Sequence, residues 1–114
     1  LMDESYIGVE RARVARAVAD PSWWSTVWPE LTMPVSEDRG DDGVRWLVAG
    51  ALTGTTEIWL EAFRGRGAIV HYFLRADPAR PIGERRAARL RRHYTLRWKA
   101  HAFALKDALE AASS

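Results

Sequence analysis

Three histidines, His71, His93 and His101, carry the side-chain type that most often moves protons in catalysis. With Glu57, Glu61 and Tyr72 they form the pool from which general acid or base chemistry can be drawn. Glu57 and Glu61 share one face of a predicted strand, where Arg45, His71 and Arg75 can answer them from neighbouring strands. On a solvated face that set is a charge ladder worth a fraction of a kcal/mol per pair. Facing a cavity, Glu57 and His71 become an acid/base pair. His101 lies within an apolar helical stripe, with Arg97 at its margin. A histidine so placed is more often a satisfied core residue than a catalyst. The catalytic candidates are therefore His101, Tyr72, Glu57 and His71, none of them singled out by a reaction motif. There is no Gly-rich phosphate loop, no G-x-S-x-G and no H-E-x-x-H. His93 and His101 differ by about 80° around a helix, and cysteine is absent, so neither a metal nor a cofactor is expected.

The elements that must position these residues are dominated by the last one. Gly83 to Ala112 reads as a single helix of roughly 28 residues, about 42 Å long. No Pro or Gly interrupts it. At 100° per residue Leu90, Tyr94, Trp98, His101, Ala104, Leu105, Ala108, Leu109 and Ala112 fall on one arc. Arginine and other charged residues take the opposite side, where Leu96 and Phe103 stand out as apolar exceptions that mark either a dimer contact or a patch covering loop 76–82, the dimer being preferred.

Before the helix comes a strand ending near Val9, then a helix over Glu10 to Ala19. A short helix holding Trp23, Trp24 and Trp28 follows, capped by Asp20 or Ser22. From Leu31 the period changes to two. Predicted strands cover Leu31–Ser36, with Pro34 marking an edge or bulge, Val44–Leu52, Thr55–Phe63 and Ala68–Arg75. Turns fall at 38–43, Thr53–Gly54 and 64–67. Along Val44–Leu52 the residues Val44, Trp46, Val48, Gly50 and Leu52 share one face. Leu1 precedes Met2 and reads as a residue outside the fold.

Length and composition place the chain in one class. At 114 residues it is one domain, and 47% apolar with 28% charged residues is ordinary for a globular protein. No apolar run is long enough to span a bilayer and no signal-peptide pattern opens the chain, so a cytoplasmic location without stable membrane insertion is expected. Charge is uneven: residues 1–78 carry 8 basic and 12 acidic side chains, a net of −4, and residues 79–114 carry 9 and 3, a net of +6. Such asymmetry can mark an anionic partner, but a long surface helix solvated by arginine explains it more simply, and no nucleic-acid partner is expected.

The order of elements resembles the helix-grip superfamily called START or SRPBCC, and within it the polyketide cyclase/dehydrase and lipid-transport branch. The resemblance is carried by residues 18–24 (Val-Ala-Asp-Pro-Ser-Trp-Trp), Asp38-Arg39-Gly40 with 43–46, 54–61 (Gly-Thr-Thr-Glu-Ile-Trp-Leu-Glu), 71–75 (His-Tyr-Phe-Leu-Arg) and the terminal helix. It implies an α+β fold over residues 1–114, a curved antiparallel sheet of about five to seven strands wrapped around the helix. Such domains usually have about seven strands, and only five can be placed here. The resemblance further implies a cavity between sheet and helix that binds a hydrophobic or amphipathic molecule, lipid- or polyketide-like. Its candidate lining is Trp23, Trp46, Val48, Ile58, Tyr72, Tyr94, Arg97, Trp98 and His101. The alternative is a cyclase- or dehydratase-type enzyme using acid/base residues in the same cavity. A homodimer is the candidate assembly.

Overall fold

In the computed structural model, which describes residues 1–113, the chain runs through β1 (Met2–Ile7), α1 (Arg11–Val18), α2 (Pro21–Val27), β2 (Leu31–Thr32), β3 (Val35–Asp38), β4 (Gly43–Gly50), β5 (Leu52–Phe63), β6 (Gly67–Pro78) and α3 (Glu84–Ala112). The six strands form an antiparallel sheet in the order β1-β6-β5-β4-β2, and β3 also pairs with β4. The curved sheet, two short helices after β1 and long C-terminal helix are the helix-grip α+β fold.

Asp20 separates the two short helices. Its carboxylate accepts hydrogen bonds from the Ser22 backbone N–H at 2.9 Å and the Ser22 hydroxyl at 2.8 Å, and Pro21 occupies the first turn of α2. The single strand expected over Leu31–Ser36 is two, because Pro34 has no N–H to donate to a ladder. Its carbonyl still accepts from Leu47 N–H, and the β3–β4 register shifts between Val35 and Glu37. This division raises the strand count from five to six.

The β4–β5 turn lies at Gly50–Ala51, not at Thr53–Gly54. Gly50 takes the turn with φ +106°, and a Cβ there would lie 2.5 Å from the Glu30 carbonyl oxygen. It therefore leaves the inward row, which is Val44, Trp46 and Val48. Gly54 sits inside β5, where a Cβ would come within 2.1 Å of the Arg75 carbonyl oxygen on β6. With β5 starting at Leu52, β6 gains a partner as far as Pro78, beyond the expected end at Arg75. Leu1 also belongs to the fold: its carbonyl accepts from Leu74 N–H, its amino group donates to the Leu74 carbonyl, and its side chain packs on the core.

At about 1.5 Å per residue, the 29 residues of α3 nearly match the 46 Å long dimension of the molecule. Only its middle is fully covered. Tyr94, Trp98 and Ala102 are buried, whereas Ala104, Ala108 and Ala112 of the expected arc are exposed. The first ten helical residues bury only Ala87 and Leu90, and those in part. The start of the helix therefore keeps most of its surface, arginines included, in water.

Candidate functional site

Aromatic rings fill the space between the sheet and the middle of α3. Tyr72 on β6 stacks on Trp98 at 3.7 Å between centroids, and Trp24 lies parallel to Trp98 at 6.1 Å. Trp46 on β4 meets Trp24 at 4.7 Å, and Trp23 turns its edge to Trp24 and Trp98. Three of the indoles place their N–H on an acceptor. Trp28 Nε1–H donates to the Tyr72 hydroxyl at 3.0 Å, Trp24 Nε1–H to the Val18 carbonyl, and Trp98 Nε1–H to Asp3 at 2.9 Å. Burial pushes the Tyr72 phenol up to about 12, so it stays protonated at neutral pH. Val48 and Ile58 are buried in the same core. At this level rings occupy the room that the sequence reading assigns to a ligand, because four of the six indoles point inward from three different elements.

The aromatic core ends at a polar latch. Glu30, in the loop after α2, accepts from the Tyr94 hydroxyl at 2.5 Å and from Arg97 Nη1 at 2.9 Å. Arg97 Nη2 also donates to the Val27 carbonyl at 2.7 Å, and the guanidinium lies 5.0 Å over the Trp28 ring. Burial opposes the Glu30 charge, but the hydrogen bonds from Arg97 and Tyr94 outweigh it and hold the carboxyl below its ordinary value. Burial first, and then the bond to Glu30, push the Tyr94 phenol up. His93 Nε2 lies 3.3 Å from Arg97 Nη1. A guanidinium can only donate, so in this contact the imidazole nitrogen is the acceptor.

Open space begins beyond the latch, at the N-terminal end of α3. A pocket of about 270 Å³ lies between sheet and helix, walled by Leu1, Leu52, Leu74, Ala76, Leu90 and Tyr94. Pro78 and Leu90 also border a wider groove of about 760 Å³ between the Gly50–Ala51 turn, segment 78–82 and α3, which Arg80, Arg86, Arg89 and His93 line. A separate cavity of about 170 Å³ touches Trp46 and Trp24 beside Leu31 and Met33.

The four catalytic candidates do not meet. Ile58 opposes Tyr72 in the β5–β6 register with both side chains inside, while Glu57 and His71 point through the other face of the sheet. Out there Glu57 pairs with Arg39 at 3.2 Å and Arg75 at 3.7 Å, and His71 lies 3.0 Å from Glu61 and 3.8 Å from Glu4. This is the charge ladder the sequence allowed. His101 is half-buried, and among the described residues no hydrogen bond or ion pair holds its ring. No three potential metal ligands converge among the described residues, and no helix there is long and apolar enough to cross a membrane. Of the expected lining residues, Tyr94 borders the pocket, Arg97 secures its inner end and Trp46 borders the separate cavity. Glu30, Leu52, Leu74 and the arginines Arg80, Arg86 and Arg89 are additions that only the fold brings together. For the arginines alone, the net positive charge of the last third was a signal in the sequence.

Fold and site define a helix-grip domain whose centre is filled by aromatic rings, with a pocket and a groove at the N-terminal end of α3. Among the solved structures that share the fold with this chain are three from bacteria. DR_A0006 from Deinococcus radiodurans superposes with a TM-score of 0.72 at 11% identity, covering 98% of each chain. The Aha1 dimer from Colwellia psychrerythraea, solved in solution, gives 0.67 at 15% identity over 96% of this chain and 95% of that one. TTHA0849 from Thermus thermophilus gives 0.59 at 14% identity over 100% and 99%. These likenesses agree with the superfamily resemblance in the sequence at the level of fold. No family model matches the chain, and no curated protein matches it.

Proposed function

We propose that this protein binds a hydrophobic or amphipathic small molecule at the N-terminal end of α3. The observation that carries this reading is the largely apolar pocket of about 270 Å³ between sheet and helix, which shares Pro78 and Leu90 with a larger groove. Apolar walls with a few polar groups at one rim are the usual build of a small-molecule site. The Glu30–Arg97 latch, which ties the α2–β2 loop to α3, keeps the inner wall in place. Expected is saturable binding of the uncharged probe N-phenyl-1-naphthylamine, followed by its fluorescence. Ala87→Trp, which fills the pocket from the helix side, should weaken that binding by about tenfold, or 1.4 kcal/mol, without lowering the melting temperature. Failure of the folded wild type to bind the probe would remove the reading.

A homodimer through the outer face of α3 is also proposed. Leu96 and Phe103 are 59% and 64% exposed there, seven residues apart and so about two turns along one side. Among the structures of the same fold, the Colwellia Aha1 is described as a dimer. Leu96→Glu with Phe103→Glu should convert the dimer to monomer in sedimentation velocity. Identical sedimentation of variant and wild type contradicts that contact.

A further inference from the structure

Arg11, Arg39, Arg75 and Arg97 each reach a carboxylate. Arg80, Arg86 and Arg89 reach none: among the described residues no hydrogen bond, ion pair or ring contact holds them. All three line the same groove, together with His93, and no carboxylate lines it with them. Like charges gathered at one concave surface repel one another and focus a positive potential into it, and a bound anion relieves that repulsion. Arg86 and Arg89 are three residues apart on α3, so they emerge from neighbouring positions on one side, and Arg80 joins them from segment 78–82. An anion in the groove can thus be met from two elements. The guanidinium fork matches the two oxygens of a carboxylate. Leu90 and Pro78 then matter, because they border both the groove and the apolar pocket. One molecule with an acidic head and an apolar chain can occupy both.

We propose that the ligand is an acidic amphiphile, its carboxylate held in the groove by Arg86 and Arg89 with Arg80 opposite, its chain in the pocket of Leu52, Leu74 and Leu90. This rests on the pocket reading above and adds the charge and direction of the ligand. Asp77 and Arg91 line the pocket and not the groove.

Decanoate and decanol, which share a chain and differ in the head, separate the two ideas when titrated by calorimetry at low salt and pH 7.5. The wild type should bind decanoate about tenfold more tightly than decanol. In Arg86→Gln with Arg89→Gln the two should come within about twofold, with decanol binding as in the wild type. Added salt should weaken decanoate alone, since the three arginines meet solvent. Equal affinities in the wild type, or a tenfold preference that survives the double substitution, overturn the anion subsite and leave the pocket intact. Binding of neither compound overturns both. Should the double variant not fold, the wild type decides: a preference for decanoate that salt leaves unchanged also overturns the subsite.

Discussion

Trp98→Ala is expected to destabilise the protein by about 3–5 kcal/mol, the range for removing a large aromatic from a packed core. Trp98 is 1% exposed, stacked on Tyr72 at 3.7 Å and parallel to Trp24 at 6.1 Å. Its loss opens a cavity between helix and sheet that rings anchored on α2, β4 and β6 have little freedom to fill. It also withdraws the indole N–H from Asp3, although Lys99 and Ser5 still donate to that carboxylate. Domains of this size have about 5–15 kcal/mol in total, so the variant should approach unfolding at room temperature. A urea titration with a loss below about 1 kcal/mol would contradict the aromatic stack as the centre of stability.

The second large effect is expected at the latch. Glu30→Ala leaves the Tyr94 hydroxyl and much of the Arg97 guanidinium without an acceptor, in a setting where both are partly shielded from water. Breaking one side of such a charge-assisted set should cost about 2–3 kcal/mol. The effect carries a pH signature. The folded Glu30 carboxyl titrates below its ordinary value, so its stabilisation is complete above that value and is lost as pH falls through the lowered one. The stability gap between wild type and Glu30→Ala should therefore be constant from about pH 6 to 8 and close below about pH 4. A gap of the same size at pH 3 and pH 7 would show that Glu30 acts by packing and not as a carboxylate. Because the latch forms the inner end of the pocket, the same variant should also bind N-phenyl-1-naphthylamine more weakly.

Much of the architecture is written in local pattern. The length of α3, the Asp20 cap, the break at Pro34 and the alternation of Glu57, Ile58, Trp59 and Leu60 follow from spacing and backbone chemistry within a few residues. The position of the β4–β5 turn does not. Gly50 and Gly54 are equally permissive alone, and the choice falls to the β5–β6 pairing, where β6 leaves no room for a Cβ at Gly54. The same division holds for the site. Tryptophan-rich composition is compatible with a core or a cavity wall, and only the convergence of Trp24, Trp46, Tyr72 and Trp98 makes the middle of the domain solid. Neighbours on a strand face opposite ways, so His71 and Tyr72 are adjacent in sequence yet separated by the thickness of the sheet. Glu30 meets Arg97 across 67 residues, a distance no periodicity spans. The sequence by itself thus determined the elements, their faces and an excess of arginine near the start of the last helix. Tertiary structure decided that these arginines stay exposed around an open groove, because burial is decided by what packs opposite a side chain and not by its own helical phase.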